Sequence, residues 1–235
     1  MINTEFFQLR DAHPSGSYNA LTHVIKGCNV YIHKMSENLE INKLDRGELS
    51  VFFVVEGSVS CCDQLLKTYT TYIPSASERL SFVSESATLL EIRLKLDPSE
   101  VKMTEEKLPL KIEYGQARAY KEDCKSEKTT SRMILEDGII PRFALGSVET
   151  DGPDKVEEHE HPSVDQFFFS LPHTESYLTV SGERLAFPEK TAMHIPLGSS
   201  HGVVVEDGSK MHYLWCDFYL DESTSDYIRS AHKFI

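Results

Sequence analysis

Short runs of β-branched and aromatic residues recur along almost the whole chain, and each is cut off within a few residues by Gly, Pro, Asp, Asn or Ser. In the first half they fall at 28–35 (CNVYIHKM), 49–57 (LSVFFVVEG), 67–74 and 87–96. In the second half they fall at 140–149, 166–171 (QFFFSL), 177–187, 202–208 and 211–220. Strands of this length between turn formers predict an all-β sandwich or barrel. Helical periodicity is confined to two short stretches, one at 98–107 opened by Pro98 and one in the tail from Asp221 to His232.

The pattern repeats. The segment 72–79 (YIPSASER) resembles 194–201 (HIPLGSSH), and upstream of each lies an apolar run, 51–55 (VFFVV) and 167–171 (FFFSL). Between the two copies, from about Pro98 to Lys128, runs a charged, strand-poor stretch of the kind that joins domains. The expected organisation is two related β units in tandem, 1–112 and 113–235.

Charge narrows the partners. Against 24 Lys and Arg stand 37 Asp and Glu, a formal charge of −13. Such a surface lacks the basic face that binds phosphate backbones or anionic membranes, so neither nucleic acid nor a membrane is expected as partner. No apolar run approaches the roughly 18 residues of a membrane span, and the first residues carry no basic, apolar leader, which points to the cytoplasm. The five cysteines form no CxxC pair and read as small buried hydrophobes.

Three imidazoles and one carboxamide carry the chemistry. On a strand, residues i and i+2 share a face, so His159 and His161 form a chelating pair while Glu158 and Glu160 point away. Gln166 opens the next strand, with Asp165 as the rival oxygen donor, and parity favours Gln166 facing inward with Phe168. His201 follows the turn 196–198 (PLG).

The stretch 159–166 (HEHPSVDQ) resembles the first motif of the cupin superfamily, HxH followed at a short gap by Glu or Gln. The stretch 196–201 (PLGSSH) resembles the second, PxG, two residues, then His. The resemblance covers about residues 139–220. It departs from the family pattern in a longer intermotif segment through 171–176, in the missing glycine before Pro196, and in Gln rather than Glu as the third ligand. It implies two tandem cupin (double-stranded β-helix, jelly-roll) barrels with short helices at the linker and C-terminus. It also implies one divalent transition metal (Fe, Ni, Mn, Co, Cu or Zn) held by His159, His161, Gln166 and His201. Imidazole-rich sites without thiolates suit these ions. Aligning the repeats sets Lys43, Asp45, Ser50 and Arg79 at the corresponding places, so the first unit is expected to be metal-free. An anion pocket on Lys43 and Arg79 is its alternative use.

Four neutral ligands leave the ion its full charge, suited to stabilising an enolate oxygen. The resulting expectation is a metal-dependent isomerase, tautomerase or lyase acting on a small oxygenated substrate, a sugar acid or keto acid. An iron-dependent dioxygenase and a non-catalytic small-molecule binder with two cupin units are the alternatives. Proton transfer is expected from His212 or Tyr177, with Asp217 on the opposite face of the His212 strand. A homodimer is expected by resemblance. The remaining histidines, His33 among them, read as ordinary surface or core residues.

Overall fold

The computed structural model describes residues 5–42, 44–75, 79–161, 163–220 and 233–234. The turn residues divide the first half into β1 (Phe6–Gln8), β2 (Gly16–Ile25), β3 (Cys28–Met35), β4 (Leu39–Ile41), β5 (Glu48–Cys61), β6 (Gln64–Lys67), β7 (Thr70–Ile73), β8 (Leu80–Phe82) and β9 (Ala87–Lys95). The one helix longer than a single turn among the described residues, α1 (Pro98–Glu105), follows. Pro98 supplies the fixed φ of its first turn, and the Glu100 carboxylate accepts the Asp97 backbone N–H at 2.8 Å. Then come β10 (Leu110–Glu113), β11 (Arg118–Lys121), β12 (Thr130–Ile140), β13 (Phe143–Thr150), β14 (Asp154–His159), β15 (Val164–Ser170), β16 (Glu175–Val180), β17 (Glu183–Pro188), β18 (Thr191–Ile195), β19 (His201–Val205), β20 (Met211–Tyr219) and β21 (Lys233–Phe234). The expected tail helix at 221–232 lies outside the described residues.

The chain divides into two compact units, Leu9–Gln116, and Met1–Gln8 together with Ala117–Ile235. The division thus falls a few residues beyond the expected 112, and the first eight residues belong to the second unit. The reason is a pairing no local pattern announces. β1 runs antiparallel to β18, with Phe6 opposite Met193.

Both units use one strand order. In Leu9–Gln116 the large sheet runs β10-β7-β5-β9-β3-β2, with β6 on β5 and a small β4-β8 pair beside it. In the other unit it runs β1-β18-β15-β20-β13-β12-β11-β21, faced by a sheet β14-β19-β16-β17. β7, β5, β9, β3 and β2 therefore correspond to β18, β15, β20, β13 and β12, and the similar segments at 72–79 and 194–201 fall on equivalent connections.

The core of the second unit draws Phe168, Met193, Tyr213 and Trp215 from its large sheet and Val156, Leu178, Phe187 and Val203 from its small one. Each such side chain contributes about 1.5–3 kcal/mol on leaving water. The first unit is built alike, with Met35, Phe52, Val54, Tyr72 and Leu89 against Ile41, Leu80 and Phe82. The central strands are buried on both faces: Phe167 and Phe169, pointing away from the core that holds Phe168, are also fully buried. No helix among the described residues is long and apolar enough to cross a membrane.

Candidate metal centre

Two strand ends and a turn bring the imidazoles together. β14 and β19 pair so that His159 lies directly opposite His201, after a register shift between Val156 and His159. His201 is delivered by a β-turn in which the Ser199 N–H donates to the Pro196 carbonyl at 2.9 Å. Gly198 takes φ +72° there, the third position of a type II turn that a side chain resists. His161 lies beyond the end of β14, so strand alternation alone does not orient it. Its ring nonetheless stands perpendicular to that of His159, centroids 4.9 Å apart, and 5.4 Å from that of His201.

One nitrogen from each of the three rings lies within 4.8 Å of the others, a span that one ion with bonds of about 2.1 Å draws together. Two of the rings are oriented from behind: Nδ1 of His159 lies 3.1 Å from the Glu157 carbonyl, and Nδ1 of His201 lies 3.4 Å from the Ser199 carbonyl. A proton on each Nδ1 leaves the Nε2 lone pair for a metal. Burial, then the neighbouring His159 and His161, depress the His201 pKa to about 3, so this ring is a neutral donor across the physiological range. The donor set therefore fits a divalent transition metal.

Gln166 and Asp165 separate as parity predicts. Asp165 accepts from His194 Nε2 at 2.9 Å on one face. Gln166, 5% exposed, lies on the other face with Val164 and Phe168, and the Phe168 ring stands edge-on to His201 at 5.6 Å. The Gln166 Nε2 donates to Oδ1 of Asp217 at 2.7 Å, directly across the β15–β20 ladder. Asp217 is buried. Desolvation, with Glu122 adding to it, outweighs the Gln166 hydrogen bond and pushes its pKa up to about 7.

The two expected proton carriers stand elsewhere. On β16 the core takes Leu178 and Val180, so Tyr177 points to the opposite face, where the Arg184 guanidinium covers its ring at 3.8 Å. On β20 the core takes Met211, Tyr213 and Trp215, which leaves His212 facing away from the imidazole cluster. Burial first and Arg132 second depress the His212 pKa to about 4. Asp217, of the parity opposite to His212, is the strand's core-facing carboxyl group.

In the first unit, Lys43 lies outside the described residues. Arg79 is exposed and paired with Glu40 at 3.1 Å, and Ser50 is fully buried and donates to Glu91 at 2.6 Å. The expected anion pocket on Lys43 and Arg79 therefore falls partly outside the described residues.

No family model matches the chain, and no curated protein sequence matches it. Solved structures do. A cupin 2 conserved barrel domain protein from Leptotrichia buccalis matches with a TM-score of 0.59 at 12% identity, over 90% of this chain and 92% of that one. An oxalate decarboxylase from Lactobacillus farciminis, solved as a formate complex, matches with a TM-score of 0.67 at 12% identity, over 94% and 89%. An IolB-like protein from Salmonella typhimurium matches with a TM-score of 0.64 at 12% identity, over 86% and 90%. At these identities the likeness is one of fold, and the fold is cupin-like.

Proposed function

We propose that the chain is a metal-dependent enzyme of the isomerase, tautomerase or lyase type, acting on a small sugar acid or keto acid. The observation that carries this reading is the convergence of His159, His161 and His201, a neutral donor set beside a buried carboxamide. A bound divalent ion supplies Lewis-acid stabilisation of an enolate oxygen, undiminished by any carboxylate ligand. The protein's own part is positional. Asp217 accepts from the Gln166 NH2 and so turns the amide oxygen away from itself, free to act as the fourth donor. Phe168 holds His201 on one side, while the Ser199 and Glu157 carbonyls fix the tautomers of His201 and His159. The aromatic wall of Phe168, Tyr213 and Trp215 keeps bulk water from that face. The fold neighbours, one of them an oxalate decarboxylase, support small-acid chemistry on this scaffold.

The test is metal analysis of protein purified without added metal, followed by anaerobic incubation with uronates and keto acids in deuterated water, read by NMR. One divalent ion per chain, absent from His201→Ala, together with deuterium on carbon, is the expected outcome. A metal-free wild type refutes the reading, and oxygen consumption during turnover replaces it with a dioxygenase.

A further inference from the structure

The unit Leu9–Gln116 carries a second polar constellation that the imidazole cluster does not use. His33 on β3, Ser50 on β5 and Glu91 on β9 share the face of Met35, Phe52 and Leu89, so they enter an apolar core. Glu91 is fully buried and His33 is 3% exposed. A carboxylate in such a place needs saturating partners. Its Oε1 accepts from Ser50 Oγ at 2.6 Å and from Nε and Nη2 of Arg93 at 2.9 and 2.8 Å. Its Oε2 meets Nε2 of His33 at 2.9 Å. Burial alone would raise the Glu91 pKa, but the hydrogen bonds and charges of His33, Ser50 and Arg93 outweigh it and hold the group ionised.

The other nitrogen of His33 points outward. Nδ1 lies 2.7 Å from Oγ of Ser17, which stands directly opposite His33 in the β2–β3 ladder and is exposed to solvent. Hydroxyl, imidazole and carboxylate thus form one hydrogen-bonded line from the surface to the core.

We propose that Ser17, His33 and Glu91 form a nucleophilic triad that accepts an acyl group from an activated ester onto Ser17. The anionic Glu91 holds the His33 proton on Nε2, which leaves the Nδ1 lone pair to accept the Ser17 O–H. Nδ1 faces the hydroxyl and Nε2 the carboxylate, an exchange the imidazole permits because either nitrogen can carry the proton. As the bond from Oγ to the acyl carbon forms, the hydroxyl proton passes to Nδ1, and Glu91 stabilises the imidazolium. The ester's C–O bond then breaks, and the leaving alcohol takes that proton. Water, deprotonated by Nδ1 in turn, releases the acid and restores Ser17. β2 is the edge of its sheet among the described residues, and N–H groups along an edge strand alternately point away from the partner strand. Such donors can stabilise the oxyanion and align an extended acyl chain, so the substrate class is an ester presented along β2.

The experiment uses the full chain with p-nitrophenyl acetate and a fluorophosphonate probe, the adduct located by peptide mass spectrometry. The expected result is a p-nitrophenolate burst with acetate on Ser17, and fluorophosphonate labelling of the same residue. Labelling should run about 10²–10⁴-fold faster in native than in urea-unfolded protein, the range a positioned general base supplies. Ser17→Ala should abolish both signals, and His33→Gln should slow them by a similar factor. Ser17 is exposed, so Ser17→Ala keeps the fold even where His33→Gln does not. A label that persists in Ser17→Ala, or a native Ser17 that reacts no faster than the unfolded one, overturns the proposal.

Discussion

Replacing His212 by Gln separates a catalytic role from a structural one by its pH dependence. The half-buried ring is held neutral in the folded protein, its pKa depressed from 6.5 to about 4. In the unfolded chain it titrates at its ordinary value. The neutral form is the one folding favours, so its contribution is whole above pH 6.5, declines as the pH falls, and is lost once the pH passes below about 4. At about 1.4 kcal/mol per pKa unit the full loss is about 3 kcal/mol, of which about 2 kcal/mol has gone by pH 5. Gln does not titrate. The stability difference between wild type and His212→Gln therefore shifts by about 2 kcal/mol in favour of the variant between pH 8 and pH 5. Urea unfolding of chelator-treated protein, followed by fluorescence of the single Trp215, measures this directly, because that side chain is 7% exposed in the same unit. Every other ionisable group is common to both proteins and drops out of the difference. A difference constant to within about 0.5 kcal/mol across that range refutes the argument, and loss of turnover at pH 8 without loss of metal restores His212 to the chemistry.

Two further outcomes follow from packing. A Cβ at Gly146 would stand 2.1 Å from Cζ2 of Trp215 and 2.6 Å from the Arg132 carbonyl, so Gly146→Ala displaces the indole. It should cost about 1–3 kcal/mol, read as a lowered thermal midpoint with red-shifted Trp215 emission. Deletion of residues 1–8 strips β18 of the partners Phe6, Phe7 and Gln8 and moves the sheet edge from the three-residue β1 to the longer, fully buried β18. A lower thermal midpoint and concentration-dependent association by light scattering are expected, and a truncated protein that stays monodisperse and equally stable counts against this account.

Much of the candidate site was legible because its determinants are local. The spacing of His159 and His161, the inward parity of Gln166 against Asp165, and the PLG turn before His201 are each written within a few residues, and the folded chain brings the three imidazoles together from them. What was not legible depends on which side of a strand is the core. On β20 Leu214 and Cys216 are fully buried and Tyr213 and Trp215 nearly so, so hydropathy does not distinguish the two faces, and His212 and Asp217 could not be told apart. Tyr177 was misplaced for want of the same knowledge of β16. The pairing of His33 with Glu91, 58 residues apart, and the addition of β1 to β18 leave no periodic trace at all.

That last pairing has a consequence for synthesis. Phe6 leaves the ribosome before Met193, which it faces and which follows 187 positions later. At about 5–20 residues per second the N-terminal segment waits on the order of 10–40 s for its partner. Throughout that interval Leu9–Gln116 can collapse on its own contacts, whereas the large sheet that carries Gln166 cannot gain β1 until β18 has been made. That sheet thus takes its β1 edge late, from residues made long before their partner.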